Sequence, residues 1–321
     1  MDPLFATIAF VAGLVFGSFL NVCIYRLPRV PEEGEGLLFL RSLKSLSNPP
    51  RSACPKCGHL IRWYDNVPVL SWMLLRGRCR DCRGPISFRY AAVELLTGLL
   101  FLACFAKFDF TLETVKFCLF SFLLTGLIFT DAETKLLPDA LTLPGLAAGI
   151  VFSVFVPVQD LVARFLPGIF PIADANESWQ LLSFGDAVLG AAVGACFIYG
   201  SGMAYKLARG VEGMGFGDVK LMAMIGAFVG FKLTLFTIFG ASILGALFGL
   251  SSIPVVWVKR TRRRMQRQGE PRLLASRRAW HSAKNVYRYY AMPFGVFLGT
   301  VALVGVFFGN ALLNWYWSRY L

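Results

Sequence analysis

Residues 112–157 read LETVKFCLFSFLLTGLIFTDAETKLLPDALTLPGLAAGIVFSVFVP. Two predominantly apolar runs, 112–130 and 138–157, are separated by a short polar segment at 131–137. A helix needs ~20 apolar residues to cross the hydrocarbon core of a bilayer, and each run has about that length. The stretch therefore predicts two consecutive transmembrane helices joined by a tight connection.

The rest of the chain repeats this pattern. Its 321 residues are 56% hydrophobic and only 16% charged, with a mean hydropathy of +0.60. Soluble domains carry more charge and fewer apolar residues. We predict an all-α polytopic membrane protein with about eight transmembrane helices, at 4–25, 89–106, 112–130, 138–157, 185–206, 217–231, 234–257 and 291–314.

Basic residues are distributed unevenly along the chain. None precedes the first span, whereas Arg26 and Arg29 follow it at once. A cleaved signal peptide has the opposite polarity, so this span is expected to be retained with the N-terminus outside. Eight spans from that start leave four cytoplasmic segments, 26–88, 131–137, 207–216 and 258–290. All but five of the 32 Lys and Arg residues lie in or beside them, the exceptions being Lys107, Lys116, Arg164, Lys232 and Arg319.

The net charge of +13 therefore reflects membrane orientation, and the distribution of the basic residues argues against nucleic-acid binding. Residues 1–25 form the first transmembrane helix, 26–88 a cytoplasmic domain, and 89–321 the remaining membrane-embedded domain. That domain includes a basic cytoplasmic loop at 258–290. Its charge run predicts a segment that is partly disordered or lies on anionic headgroups, which makes anionic lipid its expected partner.

Four cysteines in the cytoplasmic domain have metal-ligand spacing. Cys54, Cys57, Cys79 and Cys82 form the pattern C-x2-C-x21-C-x2-C. Thiolates on two paired tight turns can share one tetrahedral ion, so the pattern predicts a structural zinc site. Disulfides are disfavoured because the predicted topology places the domain in a reducing compartment. Four thiolates leave no open coordination position for catalysis.

Two aspartates lie at the cytoplasmic ends of apolar spans, where a carboxylate is costly. They are Asp131 in F-T-D-A-E-T-K and Asp218 in G-F-G-D-V-K. An intramembrane acid is a functional-site candidate, against the simpler interpretations of an Asp131–Lys135 pair and a helix-start acid at 218 beside Lys220. Two such acids can share one proton and activate water, which points to proteolysis. A proton-coupled membrane transporter that uses the same acids is the alternative from another class.

The glycines before Asp218 favour the catalytic interpretation. Gly215 and Gly217 leave bare backbone, so an extended substrate can approach closely. Asp139 follows Pro138 at the start of a span, where a carboxylate stabilises the helix N-terminus. We therefore interpret Asp139 as a helix-start residue. The predicted catalytic pair is Asp131 and Asp218.

Several long motifs, in the same order, resemble the bacterial type IV prepilin peptidase family. The motifs are GSFLNVCIYRLP (17–28), RSACPKCGHLIRWYDNVPVLSWMLLRGRCRDC (51–82), ISFRYAAVELLTG (86–98), the Asp131 motif, GFGDVKL (215–221) and MPFGVFLG (292–299). The resemblance implies a GxGD-type aspartic endopeptidase with Asp131 and Asp218 as its catalytic residues. It would cut the basic leader from type IV prepilins or type II secretion pseudopilins at the cytoplasmic face of the inner membrane.

The resemblance also implies a second activity, N-methylation of the new N-terminal residue with S-adenosylmethionine. It associates this activity with residues 26–88, where no G-x-G-x-x-G indicates a Rossmann methyltransferase. The residues that bind the methyl donor are not identified. For Glu94, we favour pairing with Arg89 or a helix-entry charge over a role in methylation. A peptidase without the methyltransferase activity is the alternative within the same class.

Overall fold

The structure is a computed structural model that describes residues 2–30, 38–47, 51–54, 56–157, 179–210, 213–269, 271–289 and 292–320. Its α-helices are α1 (Pro3–Arg26), α2 (Leu38–Ser47), α3 (Leu70–Leu74), α4 (Phe88–Phe108), α5 (Leu112–Thr134), α6 (Asp139–Phe155), α7 (Trp179–Arg209), α8 (Phe216–Gln268), α9 (Arg272–Tyr289), α10 (Phe294–Val304) and α11 (Asn310–Tyr320). A single π-helical turn, Gly305–Gly309, joins α10 to α11. Within these residues the fold is all-helical, as the sequence predicts.

Six helical stretches are long and apolar enough to cross a membrane, which confirms a multi-pass membrane protein. They are Pro3–Arg29, Phe88–Phe108, Leu112–Thr134, Trp179–Arg209, Phe216–Arg267 and Phe294–Tyr316. Helix α6 is apolar but shorter. The number of eight spans stays a prediction, because it depends on how α6 and the long helix α8 are placed in the bilayer.

Helix α8 is interrupted at Gly230, whose φ of 76° and ψ of 178° are not helical. Its first residues lie beside the α5–α6 connection, since a Cβ on Gly217 would lie 3.0 Å from Leu137. Gly249, near its middle, lies close to Met292 just before α10. Gly295, three residues after Met292, contacts Asp131 near the end of α5. Gly217 and Gly249 therefore both lie near that end of α5, so the chain must reverse direction at Gly230. Residues 216–229 and 231–257 are therefore two antiparallel segments.

The reversal leaves a backbone N–H that needs a partner inside an apolar bundle. The N–H of Phe231 lies 3.4 Å from Oδ1 of Asp186, a buried residue of α7. Lipid offers no hydrogen bonds, so an intramembrane break is stable only when the protein supplies them. The carboxylate of Asp186 thus supports the break in α8.

Close packing joins the two parts of the membrane domain. A Cβ on Gly13 of α1 would lie 2.7 Å from the Cα of Gly98 in α4, so these helices approach at backbone distance. Small residues allow such contacts between transmembrane helices. In the centre, Phe120 of α5 stacks on Phe228 of α8 with ring centroids 4.8 Å apart. A Cβ on Gly126 of α5 would also lie 2.8 Å from Leu20 of α1. Helix α5 therefore contacts both the N-terminal helices and α8.

The described part of 258–290 is helical, whereas its charge run predicts a partly disordered loop. Helix α8 continues to Gln268, and α9 packs back against it. The indole N–H of Trp257 donates to the carbonyl of Ser276 at 3.0 Å, and Trp257 meets Trp280 edge to face. Ala275 and Ala279 are fully buried between the two helices. The apolar residues that make these contacts are few and lie between arginines in the sequence. Their contacts order the segment.

Candidate active site and metal centre

Asp131 lies near the C-terminal end of α5 and is only 4% exposed. Its Oδ2 accepts a 3.0 Å hydrogen bond from the backbone N–H of Val296, and the N–H of Gly295 also donates to the carboxylate. Both amides belong to the first turn of α10, which begins at Phe294. The N-terminal amides of a helix lack partners within the helix and favour an anion. Helix α10 thus fixes the position and orientation of Asp131.

Asp218 lies in the first turn of α8 and is 9% exposed. Its backbone N–H donates to the carbonyl of Gly215 at 3.1 Å, and Gly215 is the N-cap residue of the helix. The helix start therefore fixes the backbone that carries the acid. The two carboxylates are near enough for the charge of Asp131 to act on Asp218, and Leu137 lies against both Gly217, next to Asp218, and Gly295, which contacts Asp131. The fold therefore brings together two buried carboxylates that are distant in sequence.

Leu137, in the α5–α6 connection, packs between the segments that carry the two acids. A Cβ on Gly217 would lie 3.0 Å from the Cβ of Leu137, and a Cβ on Gly295 would lie 3.3 Å from its Cδ1. The missing side chain of Gly217 is thus explained by internal packing. At Gly215 the nearest atom to such a Cβ is 3.9 Å away, so the space there is open. Close substrate approach stays a prediction, and the geometry favours Gly215 for it.

Lys220 binds the start of α6 and is not the partner of Asp218. Its Nζ lies 2.7 Å from both carboxylate oxygens of Asp139. Asp139 is the first residue of α6, directly after Pro138, in agreement with its interpretation as a helix-start residue. The ion pair also ties α6 to the helix that carries Asp218. This second role of Asp139 was not predicted from the sequence.

The four cysteines lie on two similar turns of the predicted cytoplasmic domain. In the first, the N–H of Cys54 donates to the carbonyl of His59 at 2.9 Å, and Gly58 has a φ of 74°. In the second, the N–H of Cys79 donates to the carbonyl of Gly84 at 2.9 Å, and Arg83 has a φ of 56°. Each turn therefore presents its two thiols on the same side.

All four sulfur atoms lie within 4.8 Å of one another, and those of Cys54 and Cys82 are 3.9 Å apart. Thiolates around a tetrahedral zinc ion at about 2.3 Å are separated by roughly 3.8 Å, so this donor set fits zinc. Burial opposes ionisation of Cys54, but the backbone N–H groups of Cys57 and Lys56 and neighbouring thiols together lower its pKa to about 7. The cluster can therefore hold a metal ion.

Glu94 does not pair with Arg89, so that interpretation of the sequence was wrong. Arg89 bonds Glu133 at the end of α5, at 2.6 Å. Glu94 is buried in α4, and its Oε2 accepts a 2.7 Å hydrogen bond from the backbone N–H of Val69, in the predicted cytoplasmic domain. The spacing of charges along α4 favoured a Glu94–Arg89 pair. In the packed structure each of these residues instead bonds a partner from another segment.

Sequence reasoning assigned no role to the amides of Gly295 and Val296. The motif MPFG at 292–295 contained a signal, because Pro293 marks a helix start and Gly295 allows another group to approach closely. A Cβ on Gly295 would lie 2.9 Å from Oδ2 of Asp131. Nothing in the local sequence names the carboxylate that fills this space.

Two family models match adjoining parts of the chain. Residues 11–108 match the family model described as the bacterial peptidase A24 N-terminal domain, and residues 117–250 match that of the type IV leader peptidase family. The first match contains the four cysteines and the second contains both aspartates. No solved structure matches the chain.

Curated relatives cover most of the chain. A protein of Aeromonas hydrophila is 33% identical over 99% of this chain and 96% of its own length. A protein of Pseudomonas putida is 33% identical over 97% of this chain and 94% of its own length. A protein of Myxococcus xanthus (strain DK1622) is 40% identical over 77% of this chain and 63% of its own length. All three carry the name prepilin leader peptidase/N-methyltransferase.

Proposed function

The chain belongs to the type IV leader peptidase family, and from that premise we propose that it cleaves the leader peptide of prepilins and then N-methylates the new N-terminus. The single observation that carries the proteolytic half is the meeting of Asp131 and Asp218 in one buried site. We assign the hydrolytic chemistry to these two residues.

Two carboxylates that share one proton contain both the base and the acid that peptide hydrolysis needs. The ionised carboxylate takes a proton from water while the water oxygen bonds to the peptide carbonyl carbon. The protonated carboxylate donates its proton to the carbonyl oxygen. Collapse of the tetrahedral intermediate breaks the C–N bond; the leaving nitrogen takes the proton that the first carboxylate received from water, and the second carboxylate recovers its proton from a hydroxyl of the intermediate. The α10 amides that bind Asp131 keep this acid in position through both steps.

The test compares cleavage of a purified prepilin by the wild-type protein and by Asp131→Asn and Asp218→Asn. Each amide keeps the shape of the side chain but removes proton transfer, so cleavage should fall by at least about 10³-fold. Asp109→Asn is a matched control, since this exposed residue lies at the C-cap of α4, beside the opposite end of α5 from Asp131. Cleavage by either dyad variant at the wild-type rate would refute the assignment.

The second activity transfers a methyl group to the amine that cleavage releases. S-adenosylmethionine is the proposed donor; the amine nitrogen bonds to its methyl carbon, the C–S bond breaks, and the nitrogen loses a proton. The N-terminal region fits this role because its family match is separate from that of the peptidase region. Mass spectrometry of the cleaved N-terminus tests the proposal, and an unmethylated product in the presence of the donor would refute it.

We propose zinc as the ion for the four-cysteine cluster, with a structural role. Cys54, Cys57, Cys79 and Cys82 would hold the ion and join the two turns. Metal analysis of the purified protein should find one zinc per chain, and Cys54→Ser with Cys79→Ser should remove it. Cys196→Ser is the control, since Cys196 is an exposed residue of α7 outside the cluster.

The proposed location is the bacterial inner membrane, with the N-terminus outside and the active site at the cytoplasmic face. The basic ends of the helices support this orientation. The substrates would include type II secretion pseudopilins as well as type IV prepilins. Solute transport, the alternative from another class, is not favoured by the family membership. Cysteine labelling from each side of the membrane would test the orientation, and labelling of the N-terminus from the cytoplasm would contradict it.

Anionic lipid is the proposed partner of the basic hairpin formed by the end of α8 and α9. An open groove of about 670 Å³ there is lined by apolar residues followed by basic ones, namely Pro254, Val255, Val258, Lys259, Arg262, Arg263 and Gln266. Residues 231–268 span about 57 Å as a helix, against ~30 Å of hydrocarbon core. The hairpin therefore extends beyond the core, and its contact with headgroups would be at its base.

Retention of the protein on vesicles tests this proposal. Arg262→Gln with Arg263→Gln should weaken binding of the solubilised protein to vesicles that contain anionic lipid, and should not alter its binding to zwitterionic vesicles. Arg277→Gln with Arg278→Gln, on exposed positions of α9 away from the groove lining, is a matched control. Equal loss in both double variants would show a general charge effect and contradict a site at the groove.

A further inference from the structure

The cytoplasmic domain contains a strained turn at Val69. This residue has a φ of 61° and a ψ of −50°, a left-handed conformation that is unfavourable for a β-branched side chain. The N–H of Leu70 donates to the carbonyl of Pro68 at 2.5 Å, so Val69 is the central residue of a γ-turn with positive φ. Turns of this hand are rare and strained, and strained residues persist only where surrounding contacts hold them.

The contact that holds the turn comes from the membrane domain. The N–H of Val69 donates to Oε2 of Glu94 at 2.7 Å. Glu94 belongs to α4, is 9% exposed, and packs against α1, where a Cβ on Gly17 would lie 2.7 Å from its Cα and where Ser18 and Asn21 lie beside its carboxylate. The amide of Asn21 donates in addition to the carbonyl of Tyr90, at 3.0 Å. A carboxylate braced by two membrane helices thus fixes one backbone position of the cytoplasmic domain.

The position of the turn is transmitted to the cysteine turns. Helix α3 starts directly after Val69, and its Trp72 donates through the indole N–H to the carbonyl of Ile86 at 3.2 Å. A Cβ on Gly77 would lie 3.0 Å from the ring of Trp72, so Trp72 packs directly against the backbone before Cys79. The Glu94–Val69 hydrogen bond therefore determines how this part of the domain sits on the membrane helices.

These contacts are separate from the proteolytic site. The residues around the Glu94 carboxylate lie in α1 and the cytoplasmic domain, whereas Asp131 lies against the start of α10 and Asp218 lies in the first turn of α8. The same division appears in the family matches, because 11–108 contains every residue of the Glu94 contact and 117–250 contains both catalytic aspartates. Loss of the Glu94 contact should therefore affect one activity and spare the other.

We propose that Glu94 is a positioning residue for methyl transfer, acting through the strained turn at Val69. By holding this turn, it keeps the cytoplasmic domain in the orientation in which the newly cleaved amine is methylated. The inference rests on the proposed second activity. Cleavage of the leader does not require the contact.

The test measures cleavage and methylation separately on the same prepilin. Glu94→Ala should cleave within about twofold of the wild-type rate, keep its metal, and methylate at least tenfold more slowly. Glu94→Gln keeps the volume and one acceptor oxygen, so its methylation should lie between those of Glu94→Ala and the wild type. Glu113→Ala, which removes a carboxylate from the first turn of α5, is a control that should leave both activities unchanged.

A second substitution tests the role of strain. Glycine adopts positive φ without a steric cost, so Val69→Gly should let the turn persist without the hydrogen bond to Glu94. The double variant Glu94→Ala/Val69→Gly should therefore methylate several-fold faster than Glu94→Ala alone. No gain would show that Glu94 does not act through the turn, and would overturn the proposal.

The remaining outcomes distinguish this proposal from the function on which it rests. A wild-type protein that cleaves but never methylates would refute the second activity, and this inference with it. Wild-type methylation that is unchanged in Glu94→Ala would refute the inference alone. A parallel loss of cleavage and methylation in Glu94→Gln would show a general structural role and would also refute it.

Discussion

The backbone N–H of Val296 donates a 3.0 Å hydrogen bond to the carboxylate of Asp131, although 165 residues separate them. The bond places the first turn of α10 directly on one of the two proposed catalytic acids. The carboxylate therefore interacts with the favourable end of a helix dipole as well as with individual amides. The close approach of α10 to Asp131 also explains why residue 295 is glycine, because a Cβ there would lie 2.9 Å from Asp131 Oδ2.

Gly295→Ala should reduce prepilin cleavage by at least about tenfold, since a displacement of the acid by a few tenths of an ångström disturbs a positioned dyad. The protein should remain inserted and folded. Cleavage kinetics and detergent-solubilised melting together would check this. Gly200→Ala in α7, where an added Cβ meets nothing within 4 Å, is the matched control and should behave as wild type.

The Lys220–Asp139 ion pair should contribute to activity through the position of α8. Both side chains are partly exposed, so the pair is worth at most about 1 kcal/mol of stability. Lys220→Met should nevertheless lower the cleavage rate, because Asp218 lies in the same first turns of the helix. Reversal of both charges, Lys220→Asp with Asp139→Lys, should restore part of the loss. A double variant worse than the sum of the two single changes would contradict an ion-pair role.

Asp186 should stabilise the reversal at Gly230. Asp186→Ala removes the acceptor for the Phe231 N–H inside the bundle and should destabilise the protein by about 1–3 kcal/mol. Asp186→Asn keeps an acceptor oxygen and should cost less. Thermal unfolding in one detergent would compare the variants, and equal stability of Asp186→Ala and the wild type would contradict the assignment.

Removal of the proposed zinc ion should loosen the region around the four cysteines and leave the membrane helices intact. An ion held by all four thiolates would join the two turns, so a chelator should increase hydrogen exchange at residues 53–84. Metal affinity should fall as the pH decreases, because protons compete with the metal for the thiolates. Unchanged exchange after complete metal loss would contradict a structural role for the ion.

The Asp65–Arg80 pair connects the turn before α3 with the second cysteine turn. Bidentate hydrogen bonds from Arg80, at 2.6 and 2.8 Å, hold the pKa of the Asp65 carboxyl below its usual range. A depressed carboxyl pKa adds stability above the unfolded value of about 4, and this stability is lost as the pH falls through the folded value. Arg80→Ala should raise the pKa of Asp65, measured by NMR titration. An unchanged pKa would contradict the pairing.

Much of the fold and the candidate site could be predicted because their signals are local. The apolar runs indicated membrane helices, and charge inside them singled out Asp131 and Asp218. Cysteine spacing indicated one cluster. The 258–290 segment was harder, because its few apolar contacts with α8 are hidden among arginines. Glu94 was assigned the wrong partner, since Arg89 is its neighbour along the helix but bonds Glu133 on another one.

The sequence alone determined the membrane class, the cysteine set and the two acids, because each depends on residue type and spacing. Only the tertiary structure decided that α10 binds Asp131, that Lys220 binds Asp139, and that Glu94 holds the turn at Val69. The physical reason is that buried charges and backbone amides take partners according to distance in space. Those partners come from helix ends that packing brings together, and no local pattern records them.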